Sequence, residues 1–146
     1  MKARVKTQIV ISAEPAAVFK YLSHTKYHKL WNPPLQSIKP IAQLEKGAKY
    51  QTTIAILGVR TKSNNHITVY EQDEEIQVEN RTGMLQYCAN YRLQEHEGNT
   101  KVISNVVVSA EGKAFYFARP MLEHLARREL KTDLKALKSA VEKGAE

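Results

Sequence analysis

Residues Lys113 to Lys143 read KAFYFARPMLEHLARRELKTDLKALKSAVEK, and the reading of this stretch decides the fold. Leu122, Ala126, Leu130, Leu134, Leu137 and Val141 recur at the spacing of one helical face, and Arg127, Arg128, Lys131, Lys135 and Lys138 fall on the opposite side. One long amphipathic helix is expected. Pro120 should kink it, because proline removes a backbone donor and crowds the carbonyl four residues back, with Phe115, Phe117, Ala118 and Met121 clustered around the bend. The sequence ahead of this helix reads mostly as antiparallel strands. A lone helix laid across a curved sheet leaves a concave, apolar interior, so the order of elements implies a pocket.

The strands are marked by period-two alternation and by regularly spaced turn signals. Val5, Thr7, Ile9 and Ile11 alternate with Arg4, Lys6, Gln8 and Val10 in a half-buried first strand. Ser12 offers a side-chain cap and Pro15 suits a first helical turn, so a short helix is expected over Glu14 to Leu22, with Val18, Phe19 and Leu22 inward. A second short helix over Thr25 to Leu30 must end near Trp31, because Asn32-Pro33-Pro34 follows. Turn signals at Glu45-Lys46-Gly47, Leu57-Gly58, Gln72-Asp73, Thr82-Gly83 and Gly98-Asn99 then delimit six strands, at 35–42, 48–56, 59–70, 75–81, 84–95 and 100–110.

Alternation assigns the faces. Leu85, Tyr87, Ala89, Tyr91 and Leu93 should face the interior, as should Tyr50, Thr52, Ile54 and Ile56, then Ser63, Asn65, Ile67 and Val69, then Ile76, Val78 and Asn80. These inner faces mix aliphatic side chains with hydroxyls and amides. An unmatched buried polar atom costs roughly 1–3 kcal/mol, so such a mixture points to a partly hydrated cavity and away from a solid core.

Composition narrows the alternatives. The chain has 146 residues and 16.6 kDa, the size of one ordinary domain, and its 42% hydrophobic and 25% charged content is that of a globular protein. No apolar run is long enough to span a bilayer. The basic start Met1-Lys2-Ala3-Arg4-Val5 leads into strand-like alternation with no apolar signal core, and the single cysteine, Cys88, forbids an internal disulfide; a cytoplasmic location is expected. The net charge of +7 invites a nucleic-acid reading, but the basic residues are spread over strands and helix without interleaved aromatics, so no nucleic-acid partner is expected.

This order of elements, a strand, two short helices, a six-strand meander and a long terminal helix, resembles the helix-grip fold of the START-like superfamily, an α+β architecture with a curved antiparallel sheet of about seven strands. The resembling residues are Ile9-Val10-Ile11-Ser12-Ala13-Glu14-Pro15 through Val18-Phe19-Lys20-Tyr21-Leu22-Ser23, Tyr27 to Trp31, and Arg119-Pro120-Met121-Leu122 running on to Leu134-Lys135-Ala136-Leu137-Lys138. The superfamily includes polyketide cyclases and dehydrases, lipid-transfer domains and carriers of hydrophobic ligands. The resemblance implies an apolar tunnel between sheet and helix; it supplies no catalytic signature that maps onto these residues.

The expected lining is Trp31, Tyr50, Ile54, Ile67, Val78, Leu85, Tyr87, Tyr91, Val106, Phe117, Met121 and Leu125, with Trp31 and the Pro120 kink governing access. Tyr50, Tyr87 and Tyr91 could orient a ligand carbonyl or hydroxyl, or be ordinary core aromatics. His24 and His28 stand i, i+4 but lack a third ligand, so neither a metal nor another cofactor is expected. His66 falls on the solvent face and Cys88 on the outer face of its strand. Glu129 and Asp133 sit near the edge of the buried helical stripe, where one of them could close an ion pair with a strand residue, and a structural role is expected over a catalytic one. Three functional readings follow: a carrier of a small hydrophobic ligand such as a lipid, polyketide or isoprenoid; a cyclase or dehydratase; and an interaction module that uses Arg127, Arg128, Lys131, Lys135 and Lys138 against an anionic membrane or an acidic protein.

Overall fold

The structure, a computed structural model, describes residues 2–56, 59–110 and 119–144. Seven strands form one antiparallel sheet: β1 (Lys2–Ile11), β2 (Leu35–Lys39), β3 (Lys49–Ile56), β4 (Val59–Glu71), β5 (Glu75–Asn80), β6 (Leu85–His96) and β7 (Asn99–Ala110). Their spatial order is β1-β7-β6-β5-β4-β3-β2, so β2 to β7 run as a meander and β1 closes against its last strand, with Val5 opposite Val106 and Ile11 opposite Thr100. Between β1 and β2 lie α1 (Pro15–Ser23), a 3-10 turn at Thr25–Tyr27 and the single turn α2 (His28–Trp31); α3 (Arg119–Gly144) follows β7. This is the helix-grip architecture.

Turn chemistry sets the hairpins. Between the paired His96 and Asn99, Glu97 and Gly98 hold φ of 52° and 81°, the doubly left-handed turn whose twist matches a two-residue hairpin. Register shifts between Leu35 and Ser37 in β2 and between Ile67 and Val69 in β4 bend the sheet. The second shift corrects one face assignment. Thr68 is the extra residue, and past it Tyr70, not Val69, packs inward, its ring 5.3 Å from that of Phe19 in an edge-to-face pair. Face alternation fails there because a single inserted residue reverses it.

The helical segments differ in detail from expectation. Ser12 caps nothing; its backbone N–H donates to Glu142 Oε2 at 2.8 Å, and α1 starts at Pro15 behind an extended Glu14. His24 is extended, with φ −125° and ψ 117°, so His24 and His28 do not share a helical face. The strand expected at 35–42 ends at Lys39. Of the long helix, residues 119–144 are described, and the expected segment 113–118 lies outside the described residues.

Two clusters of buried side chains hold α3 on the sheet. Its C-terminal half brings Leu134, Leu137 and Val141 against Val18, Phe19 and Leu22 of α1, Ile11 of β1 and Val102 of β7. Near its other end Leu122 meets Ala3, Leu85 and Ala110. Each fully buried Leu, Val or Phe stabilises the fold by about 1.5–3 kcal/mol relative to exposure. Polar contacts add to the first cluster, as Lys138 Nζ donates to the Val10 carbonyl at 2.8 Å and to Glu142 Oε2 at 2.7 Å. Seated at both places, the helix bridges the ground between them.

Candidate functional site

A cavity of about 520 Å³ occupies that ground. Its sheet wall carries Tyr50, Thr52 and Ile54 of β3, Asn65 of β4, Val78 of β5, Leu85, Tyr87, Ala89 and Tyr91 of β6, and Val106 and Val108 of β7. Alternation puts all of these on the concave side of the sheet. Its roof is α3, through Leu122, Leu125, Ala126, Leu130 and their neighbours, and α2 with the following loop closes one end through His28, Trp31, Asn32, Pro34 and Leu35.

Of the residues expected to line a tunnel, Trp31, Tyr50, Ile54, Val78, Leu85, Tyr87, Tyr91, Val106 and Leu125 border this cavity. Ile67 does not. It is on the correct face but 1% exposed, below the cavity in the main core with Trp31, Tyr50 and Tyr91. Met121 does not either: it is 54% exposed, because the helical phase that turns Leu122 and Leu125 to the sheet turns Met121 away. Phe117 lies outside the described residues. Trp31 is buried and fixed, with Nε1 donating to the Tyr21 carbonyl at 3.0 Å and its ring edge-to-face with Tyr91 at 5.9 Å. Pro120 lies at the described start of α3.

Much of the cavity's polarity is matched internally. The Tyr87 hydroxyl donates to Asn65 Oδ1, and Asn65 Nδ2 donates to Thr52 Oγ1 at 3.0 Å. Burial raises the pKa of Tyr50, Tyr87 and Tyr91, with the Tyr87 and Tyr91 hydroxyls further raising that of Tyr50, so all three are neutral donors at physiological pH. His28 is buried among Trp31 and Tyr50, with ring centroids 5.0 and 5.9 Å away. Its Nε2 lies 2.9 Å from the Leu22 carbonyl, which only accepts, so this nitrogen carries the proton. Desolvation lowers the ring to about 4. His28 is therefore neutral, with the proton on Nε2 and Nδ1 left as an acceptor.

Sequence reasoning misplaced two groups. Glu129 and Asp133, one of which could have closed an ion pair with a strand residue, line the cavity one helical turn apart and join none of the ion pairs among the described residues. Asp133 is 8% exposed, and Asp133 Oδ1 and Glu129 Oε1 are both buried without a hydrogen-bond partner. Burial, and then the negative charge of Glu129, push the Asp133 carboxyl up to about 10. A signal was present: Leu122, Leu125, Glu129 and Asp133 follow one another at three or four residues, a stripe parallel to the apolar one. Arg128, assigned to the opposite face, also borders the cavity while remaining exposed. On the rest of the basic face Arg127 pairs with Glu123 at 3.3 Å and Lys138 is committed to Val10 and Glu142.

His66 is exposed, and Cys88 is half-buried with its thiol raised by burial. Among the described residues no three His, Cys, Asp or Glu side chains converge as metal ligands, and no helix is long and apolar enough to cross a membrane.

Residues 2–142 match the family described as polyketide cyclase / dehydrase and lipid transport. No curated protein sequence matches the chain. Among solved structures, the fold is similar to TTHA0849 from Thermus thermophilus, at 14% identity and a TM-score of 0.85 over 98% of this chain and 99% of that one. It is similar to a START superfamily protein from Mycobacterium smegmatis, at 16% identity and a TM-score of 0.82, covering 96% and 97%. It is similar too to the Zhui aromatase/cyclase from Streptomyces sp. R1128, at 12% identity and a TM-score of 0.84, covering 100% and 97%. At these identities the structures speak for the fold alone, and the sequence match over nearly the whole length carries the assignment: the chain belongs to the polyketide cyclase/dehydrase and lipid-transport family.

Proposed function

We propose that this protein encloses a small hydrophobic molecule of lipid, polyketide or isoprenoid type between its sheet and α3, as a carrier. The observation that carries this reading is the cavity of about 520 Å³, walled by Ile54, Val78, Leu85, Val106, Leu122 and Leu125, with a helix seated on both sides of it. A ligand hiding about 200 Å² of apolar surface there gains roughly 5 kcal/mol before the cost of association, without needing many hydrogen bonds. Native mass spectrometry of gently purified protein tests it. A ligand-sized added mass that disappears in Leu125→Trp, with the fold retained by circular dichroism, supports the reading; uptake of apolar probes unchanged by Leu125→Trp and by Tyr87→Trp refutes the cavity assignment.

One observation favours a second reading, catalysis of a cyclisation or dehydration: Asp133, Glu129, His28 and Tyr91 border the same apolar space. A neutral carboxyl and a neutral imidazole in one cavity can serve as acid and base. Dehydration of a β-hydroxy ketone by the wild type, lost in Asp133→Asn with probe uptake retained, supports this reading. The same rate with and without protein rejects it.

A further inference from the structure

Two of the cavity's carboxyl oxygens lack a hydrogen-bond partner. The hydroxyl and amide donors of Tyr87 and Asn65 are committed to Asn65 and Thr52. Two carboxyl oxygens on α3, Asp133 Oδ1 and Glu129 Oε1, are buried without a partner, and His28 of α2, whose Nε2 is committed to Leu22, borders the same cavity. Both His28 and Asp133 are more than nine-tenths buried. Each such acceptor left bare costs about 1–3 kcal/mol, so the site favours a ligand that brings N–H donors.

Charge points the same way. Among the groups that border the cavity with the carboxyl pair are Tyr91 on β6, His28 on α2 and Arg128 on α3 itself, and the first two are neutral. Arg128 is exposed and forms no ion pair with either acid. Burial first, and then the neighbouring Glu129, hold the proton on Asp133, and neither acid joins an ion pair among the described residues. An ionised carboxylate in such surroundings is costly unless a cation meets it. The apolar remainder of the cavity excludes a strongly hydrated metal ion, whose ligands would have to be oxygen-rich on all sides.

We propose that the Glu129–Asp133 carboxyl pair is the recognition site for the basic nitrogen of an otherwise apolar ligand: a protonated amine donates N–H bonds to the two carboxyls while its hydrocarbon body lies against Val78, Val106 and Leu125. This rests on the carrier reading and adds the ligand's chemical class to it.

The test uses three probes that share one hydrocarbon tail, decylamine, decanol and decanoic acid, each titrated into the 146-residue chain by calorimetry near neutral pH. Decylamine should bind at least tenfold more tightly than decanol, and decanoic acid most weakly of the three. In the Asp133→Asn/Glu129→Gln double variant, amine and alcohol should bind alike. Decanol binding with no advantage for decylamine overturns the inference and leaves the carrier reading standing. A tenfold preference that survives in the double variant also overturns it, since the nitrogen is then read elsewhere. Absence of binding by all three overturns the inference together with the carrier reading. The wild-type comparison of the three probes decides by itself should the double variant not fold.

Discussion

Replacing Asp133 with asparagine should stabilise the protein, and increasingly so as the pH rises. The folded chain holds the Asp133 proton up to a pH of about 10, whereas the unfolded chain releases it near the ordinary aspartate value of 3.8. Between these values unfolding releases a proton, so the wild type loses stability with rising pH across this window and is unaffected by the group below it. One pKa unit corresponds to roughly 1.4 kcal/mol. From the ordinary value to neutrality the contribution therefore reaches at most about 4 kcal/mol. Asparagine has nearly the shape of the protonated acid and no such penalty. His28 acts in the opposite sense: its folded pKa is lowered from 6.5 to about 4, so it adds stability as pH rises through that range. The interval from about pH 7 to pH 9 separates the two effects. The assay is urea unfolding of wild type and Asp133→Asn at several pH values in that interval. The free-energy gap should favour the variant and widen with pH. Parallel profiles, or a variant less stable than the wild type throughout, would refute the placement of Asp133 as a buried, proton-holding group.

Other substitutions probe other parts of the account. Tyr87→Phe removes the donor to Asn65 Oδ1 and leaves the Asn65–Thr52 pair one partner short, so a loss of about 1–3 kcal/mol is expected in chemical denaturation. Phe19→Ala empties a fully buried site between α1, Tyr70 and α3 and should cost about 3–5 kcal/mol, read as a fall in melting temperature on the order of 10 °C. Reversing the charge of Lys131 and Lys135, which are exposed and do not border the cavity, should leave the uptake of apolar probes unchanged by calorimetry.

The architecture was legible because its signals are periodic and long. The stripe from Leu122 to Val141 and the alternation from Leu85 to Leu93 each repeat enough times that tertiary packing follows them, and Trp31 with its trailing prolines marked the end of the helix pair. Single-residue events were not legible. The bulge at Thr68 exchanges Val69 for Tyr70 on the inner face, and both are apolar, so the sequence shows no discontinuity. Met121 and Leu125 are equally apolar, and only the helix's rotation decides that the first meets solvent and the second the cavity. Ile67 had its face read correctly and its depth not, because one strand face passes from cavity wall to solid core along its length. Glu129 and Asp133 were hardest: charge argues for the surface, and what holds them inside is the packing of Leu130 and Leu134, which fixes the phase of α3 whatever its other residues prefer.

The central claim is that α3 spans a hollow and does not fill it. A crystal structure of the protein soaked with decanol tests this most directly. The account predicts an apolar chain of density running between Leu125 on the helix and Val78 and Tyr91 on the sheet. Empty space closed by inward movement of α3, with Leu125 in contact with Val78 and Val106 and decanol nowhere beneath the helix, would contradict it.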